Sequence, residues 1–271
     1  MNHQATFIPI LTYHGLSRGE NAVSDGLYTL AEEQFEAQMV YLATENFHPI
    51  SLKELANWLT GEPANSPTGQ PLPEKSVAIT FDDGLSSDFS IVLPILKRHG
   101  FTATFFVNPG TLNTVGHLTT DELRQLNREG MEIGSHGFDH IFLTRLDEER
   151  LHYQLAESKR KLEEILKKEV AFFSIPRGRY NQRVLEAVRE AGYRAACTSD
   201  IGVNRRDAYL FRLRRWTMKR PYTLDDFVSV VEGRAKGHLV VEYLIKQSAY
   251  RFLGHTLYER FRGKAVKEKI E

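Results

Sequence analysis

The sequence of 271 residues contains one cysteine, Cys197. No internal disulfide can form, which excludes a small scaffold stapled by disulfides. Cys197 lies in YRAACTSD, which reads as a buried strand where a thiol serves as a small apolar filler. Long apolar runs are also missing: none approaches the ~18 residues that a membrane-spanning helix needs. The opening, MNHQATFIPILTYHG, lacks a basic stretch followed by a long apolar core, so no secretory signal is read and the cytoplasm is the expected location. Charge of one sign is not in excess, with 35 Lys plus Arg against 35 Asp plus Glu. That balance gives no reason to expect a nucleic-acid partner. What remains is a chain that is 41% apolar, enough for one large domain or two small ones with a sizeable core.

A unit recurs along this chain: an amphipathic helix, a small or polar stop, then a short apolar strand. ILKRHG runs into FTATFFV, ending at Val107; LRQLNREG runs into MEIGSH, ending near Ser135; LEAVREAG runs into YRAACT, ending near Thr198. Gly100, Gly130 and Gly192 fall where a helix closes in the left-handed conformation, and Asn46 does the same after YLATE. Thr29 and Glu32, Ser51 and Glu54, and Thr119 and Glu122 have capping-box spacing at three expected helix starts. The strands are continuous apolar runs, as expected when both faces of a sheet are covered. Repeated β-α units imply a parallel sheet, either open and doubly wound or closed into a barrel. Residues 60–76, rich in Pro, Gly, Ser and Asn, read as a loop rather than a domain boundary. From about residue 223 the chain reads as helices without strands. The last of these carries Val240, Tyr243, Leu244, Phe252, Leu253, Leu257 and Phe261 beside Lys and Arg. It reads as a helix packed on the domain, or as a basic amphipathic element that touches a membrane surface.

Four strand ends carry chemistry. VAITFDDG places Asp82 and Asp83 at the carboxyl end of a strand, where sites of β-α folds are built. Neighbouring residues point in different directions, so one carboxylate can ligate a cation and the other accept a proton; Asp-Asp-Gly is also ordinary turn chemistry. EIGSHGFDH sets His136 and His140 four apart, which on a helical turn puts both imidazoles on one face. Asp139 is an alternative oxygen ligand. Two His and one Asp from different strand ends make a three-ligand site with open positions, the form of a catalytic zinc centre. The same set suits cobalt, nickel or iron. FFSIPRGRYN ends a third strand in a loop able to wall a pocket, with Asn181 placed to cap the next helix. FIPILTYHG ends a fourth in His14, whose ordinary pKa near neutrality suits acid–base work.

Together these pieces resemble the polysaccharide deacetylases, the NodB-homology or carbohydrate esterase 4 family. TFDDG matches the first family motif. SHGFDH resembles the H-[S/T]-x-x-H metal motif, with Gly137 at the Ser/Thr position, and FSIPRGRYN resembles an altered RPPYG loop. The layout from PILTYHG to TFDDG is similar to the circularly permuted subgroup that deacetylates poly-N-acetylglucosamine exopolysaccharides. The resemblance spans roughly residues 7–217. It implies a distorted (β/α) barrel of about seven repeats, placed over residues 1–225, with the strandless remainder, 226–271, as a helical extension. It also implies a divalent metal, most simply zinc, on Asp83, His136 and His140. Asp82 would be the general base and His14 the general acid. Pro176, Arg177 and Tyr180 would contact the substrate. That substrate would be an N-acetylated poly- or oligosaccharide, either exopolysaccharide or lipid-linked; with no secretory signal read, it would be met in the cytoplasm or at the inner face of the membrane. The arginine that orients the base in the family falls at Ser174 here, and Arg177 stands where an aromatic is common. Asp200, after CTS, resembles the aspartate of a later motif. Other readings of the same residues are an O-acetyl esterase, a non-catalytic saccharide-binding protein, or a protein whose metal only holds loops together.

Overall fold

The six-residue runs IPILTY and SVAITF become the two longest strands among the described residues of the protein in a computed structural model that describes residues 5–19, 26–62 and 72–248. In chain order, β1 (Ile8–Tyr13) is followed by β2 (Leu16–Ser17), β3 (Leu30–Ala31), α1 (Glu32–Thr44), β4 (His48–Ile50), α2 (Leu52–Thr60) and β5 (Ser76–Phe81). The repeating part then runs α3 (Leu93–His99), β6 (Thr104–Val107), α4 (Thr120–Arg128), β7 (Glu132–Ser135), α5 (Glu148–His152), α6 (Ser158–Leu166), β8 (Phe172–Ser174), α7 (Gln182–Glu190) and β9 (Ala195–Cys197). Strands β10 (Val203–Asn204) and β11 (Trp216–Thr217) and helix α8 (Leu224–Val231) follow, and residues 237–248 are helical.

Parallel pairing runs β1-β5-β6-β7-β8-β9. The sheet curls until its edges meet across one segment: Leu213 bonds to Ala196 and Thr198 beside β9, and β11 pairs in parallel with Leu11 and Thr12 of β1. This is the distorted (β/α) barrel expected of the sequence. Pleating divides each strand into two rows. Leu11, Tyr13, Ile79, Phe81, Phe105 and Phe173 belong to the large core shared with the helices, whereas Ile8, Ile10, Ala78, Phe106, Phe172 and Leu213 form a second core inside the barrel. The apolar runs therefore do not alternate, because both rows are buried. Helix α2 adds Leu52, Leu55 and Trp58 to the inner core. Its first backbone N–H groups, on Leu52 and Lys53, donate to Glu132 of β7, a carboxylate at a helix N-terminus. Cys197 is buried in this inner core, and burial pushes its thiol up to about 12.

Helix ends follow the sequence signals with one exception. Asn46, Gly100, Gly130 and Gly192 all have positive φ. Capping boxes form at Ser51 with Glu54 and at Thr119 with Glu122. The box expected at Thr29 and Glu32 is not formed, because Leu30 and Ala31 remain extended in β3, paired with β2, and Glu32 turns to Arg18. A further box, Thr223 with Asp226, opens α8. Phe227 of α8 is fully buried and meets Tyr41 of α1 edge to face. Phe252, Leu253, Leu257 and Phe261 lie outside the described residues.

Candidate active site

The inner rows of the barrel strands lead to one place. Ile8, Ile10 and Thr12 precede His14; Ala78 and Thr80 precede Asp82; Gly134 precedes His136; Phe172 precedes Ser174. Alternation along a strand thus turns a line of core side chains into polar ones at the carboxyl end, where the next layer faces solvent. Gly134 has no side chain for a reason: a Cβ there would lie 2.5 Å from the Phe106 ring.

Asp82 continues β5, its N–H donating to Tyr13 O at 3.0 Å. Its carboxylate is buried and clamped by Arg215, with Nη1 on Oδ1 and Nη2 on Oδ2, both at 2.8 Å. Ser174 Oγ donates to the same Oδ2 at 3.1 Å and receives Arg215 Nη2 at 2.9 Å. Burial works against ionisation of Asp82, but Arg215, followed by His136, outweighs it and holds the carboxyl far below the usual range. The arginine absent from position 174 is thus supplied from the segment that closes the barrel. Sequence reasoning missed it, since Arg215 sits in RLRRW among arginines that differ only in burial.

Asp83 turns away from Asp82 in the left-handed region, at φ 81, a conformation costly for a residue with a Cβ. The turn carries Oδ1 to 3.4 Å from His136 Nε2 and 3.3 Å from His140 Nε2. His136 is buried, and its other nitrogen, Nδ1, donates to Ser174 O at 2.8 Å. That bond leaves Nε2 available to a cation. The two histidines do not share a helical turn, as the spacing suggested. They lie on the loop after β7, bent by Gly137 and by His140 itself at φ 54. The side chain of Gln154 fixes this loop, accepting from the N–H groups of Phe138 and Asp139 and donating to Asp139 Oδ2. Asp139, the alternative ligand, is therefore turned into the loop and away from the histidines. Burial, then His136, lowers His140 to about 4, against the opposing pull of Asp83.

One atom of each of Asp83, His136 and His140 lies within 4.8 Å of the others. Asp83 Oδ1 is buried yet has no hydrogen-bond partner. Two imidazole nitrogens and an orphaned carboxylate oxygen aimed at one point fit a divalent cation. His14 lines the same cavity, its ring 5.2 Å from that of Tyr28 and its Nδ1 buried without a partner. Burial lowers its pKa, against the carboxylates of Asp83 and Asp82.

Of the loop after β8, Arg177 lines the cavity, its guanidinium 4.7 Å from the Phe142 ring centroid. Arg177 is left-handed at φ 58 and Gly178 at φ 64, where a Cβ would strike Ser199 Oγ at 2.0 Å. Pro176, which is buried, and Tyr180, which donates to Asp200 at 2.5 Å, are not part of the cavity lining. Asp200 also receives Arg212 and Tyr243, and Asn181 caps α7. The cavity holds about 330 Å³. The helix at 237–248 walls one side with Leu239, Tyr243, Lys246 and Gln247, a contribution no motif had signalled.

Residues 69–196 match the family described as polysaccharide deacetylase. The Bacillus subtilis (strain 168) protein YxkH, which carries that family's name, is 30% identical over 208 residues, 77% of this chain and 70% of that protein. A Bacillus cereus peptidoglycan-N-acetylglucosamine deacetylase is 32% identical over 130 residues, 48% of this chain and 59% of that one. The fold is that of Streptococcus pyogenes deacetylase PplD (TM-score 0.75, 21% identity, 84% of this chain and 99% of that one). It is also that of IcaB from Ammonifex degensii (TM-score 0.70, 23% identity, 86% and 99%). On the likeness to YxkH and the family match across the strands that carry Asp82, Asp83, His136 and His140, this chain belongs to the polysaccharide deacetylase family.

Proposed function

We propose that the protein hydrolyses N-acetyl groups of a saccharide with a divalent metal, releasing acetate and a free amino sugar. The observation that carries this reading is the orphaned Asp83 Oδ1 between two imidazoles, beside an ionised and clamped Asp82. Asp83, His136 and His140 hold the metal, zinc in the first instance. When bound, it supplies a Lewis acid for the amide carbonyl and acidifies a water. Asp82 takes the proton of the attacking water, and the Arg215 clamp keeps its carboxylate oriented and charged. His14 in its imidazolium form protonates the leaving amine, and the proton that Asp82 takes from the water restores it. Arg177 contacts the sugar from the cavity wall, while Pro176 and Tyr180 shape the loop that presents it.

The test is acetate release from N-acetylglucosamine oligomers by chelated protein and by the same protein with zinc restored. Zinc-dependent acetate supports the reading. Acetate from O-acetylated sugars only would make the protein an esterase, and saccharide binding without turnover in metal-loaded protein would make it a binding module.

We also propose peripheral membrane contact through the basic, apolar segment after residue 248, with no helix among the described residues long and apolar enough to cross a membrane. Liposome flotation of the full chain against a chain ending at Ser248 tests it; equal flotation removes the idea.

A further inference from the structure

The chain is neutral overall, but the cavity is not. Its lining contains two carboxylates, Asp82 and Asp83, against Arg177, Arg179, Arg215, Lys219 and Lys246. Asp82 is matched by Arg215, and Lys219 by Glu242 at 2.6 Å. Asp200, behind the wall, is matched by Arg212 at 2.9 Å. Glu242 also feels Lys246, but it is bonded to Lys219 and Tyr222. Five cations thus face three carboxylates even with Glu242 included, before any metal adds charge.

Arg177 and Lys246 make no ion pair among the described residues. Both rest on neutral groups: Arg177 on the Phe142 ring, and Lys246 on Tyr28, whose hydroxyl lies 3.2 Å from Nζ. Both line the same cavity. Phe142 follows His140 by two residues, while Tyr28 is packed on His14. Arg177 is held in a left-handed conformation between a buried proline and a glycine that admits no side chain. A long cation fixed this way is a built feature of the wall. Arg177 is exposed at the cavity and Lys246 half-buried; a neutral N-acetylated sugar offers them hydrogen bonds but no opposite charge. A phosphoryl or carboxylate oxygen does, and guanidinium and ammonium groups are its usual partners.

We propose that the sugar taken by this site carries, or directly adjoins, an anionic substituent, phosphoryl or carboxylate, bound between Arg177 and Lys246. The inference rests on the deacetylase reading for the identity of the amide-bearing sugar. Calorimetric binding to the chelated full-length protein tests it, because no metal is then present to capture a phosphate. The ligands are N-acetylglucosamine, N-acetylglucosamine 1-phosphate, N-acetylmuramic acid and inorganic phosphate. At least one charged sugar is expected to bind about tenfold or more tightly than the neutral one, as charge-assisted bonds would give. Which one does so separates a phosphoryl from a carboxylate source. The preference should shrink toward parity at high salt, and also in Arg177→Gln and, separately, in Lys246→Gln. Equal binding of neutral and charged sugars overturns the proposal, as does inorganic phosphate binding as tightly as the sugar phosphate. Failure of the deacetylase reading is seen separately, as no acetate from the zinc-loaded protein with any of these sugars.

Discussion

Asp82 and Arg215 form a buried pair whose value is orientation more than stability, since two buried charges gain little over apolar packing. Asp82→Asn keeps the shape and removes the proton acceptor. Acetate release is expected to fall by about 10²–10⁴-fold, the usual size of general base catalysis; a near-full rate would remove Asp82 from that role. Arg215→Gln is expected to act differently. Arg215 holds the Asp82 carboxyl low, so its loss raises that pKa and moves the acid limb of the kcat/KM profile to higher pH. An unmoved limb would mean that another group governs it. The strand-end aspartates and histidines that the sequence singled out, with His14, do meet around one cavity. They were legible because each follows an apolar run. Arg215 was not, because nothing local separates it from Arg212 and Arg214; only the closing of the barrel buries it.

At the level of elements, the helices and strands were legible through their caps, but the closure of the sheet was not. An open parallel sheet and a barrel need the same β-α repeats, and the difference here lies in a few bonds of residues 213–217 to β9 and β1. The His136–His140 spacing likewise suggested a helical turn, whereas a loop pinned by Gln154 brings the rings together. No periodicity marks a side-chain amide sixteen residues away as the clamp on that loop. The interior of the barrel was equally hidden, since inner and outer rows are both apolar. Gly134 tests how tightly that interior is packed. Its added methyl group in Gly134→Ala would meet the Phe106 ring and the Phe172 carbonyl. Overpacking of this kind costs about 1–3 kcal/mol, read as a lower denaturant midpoint with an unchanged slope. Because Gly134 lies two residues before His136, zinc affinity should fall as well. Wild-type stability in this variant would mean that the inner core has slack.

Seen as a whole, the molecule holds its upper rim together with the Asp82–Arg215 clamp inside the barrel, and the metal proposed above would be a second tie between the ends of β5 and β7. Only the second can be removed by a chelator. Two large apolar cores, the inner one of Ile8, Ile10, Ala78, Phe106, Phe172 and Leu213 and the outer one shared with the helices, are built without the triad. The metal-free chain is therefore expected to stay folded and to unfold in one transition. A ligand bound only by the folded state, at about a thousand times its Kd, stabilises by about 4 kcal/mol. For a domain of this size each kcal/mol moves Tm by about 2–4 °C, so chelation should lower Tm by on the order of 10 °C, and zinc should restore it. Collapse of the fold at room temperature on chelation would instead make the metal a structural staple. An identical Tm with and without zinc, matched by no bound zinc after dialysis, would mean that Asp83, His136 and His140 hold no metal. The same pair of scans on Asp83→Ala decides whether the shift belongs to this triad, because a shift surviving there would have to come from zinc bound elsewhere.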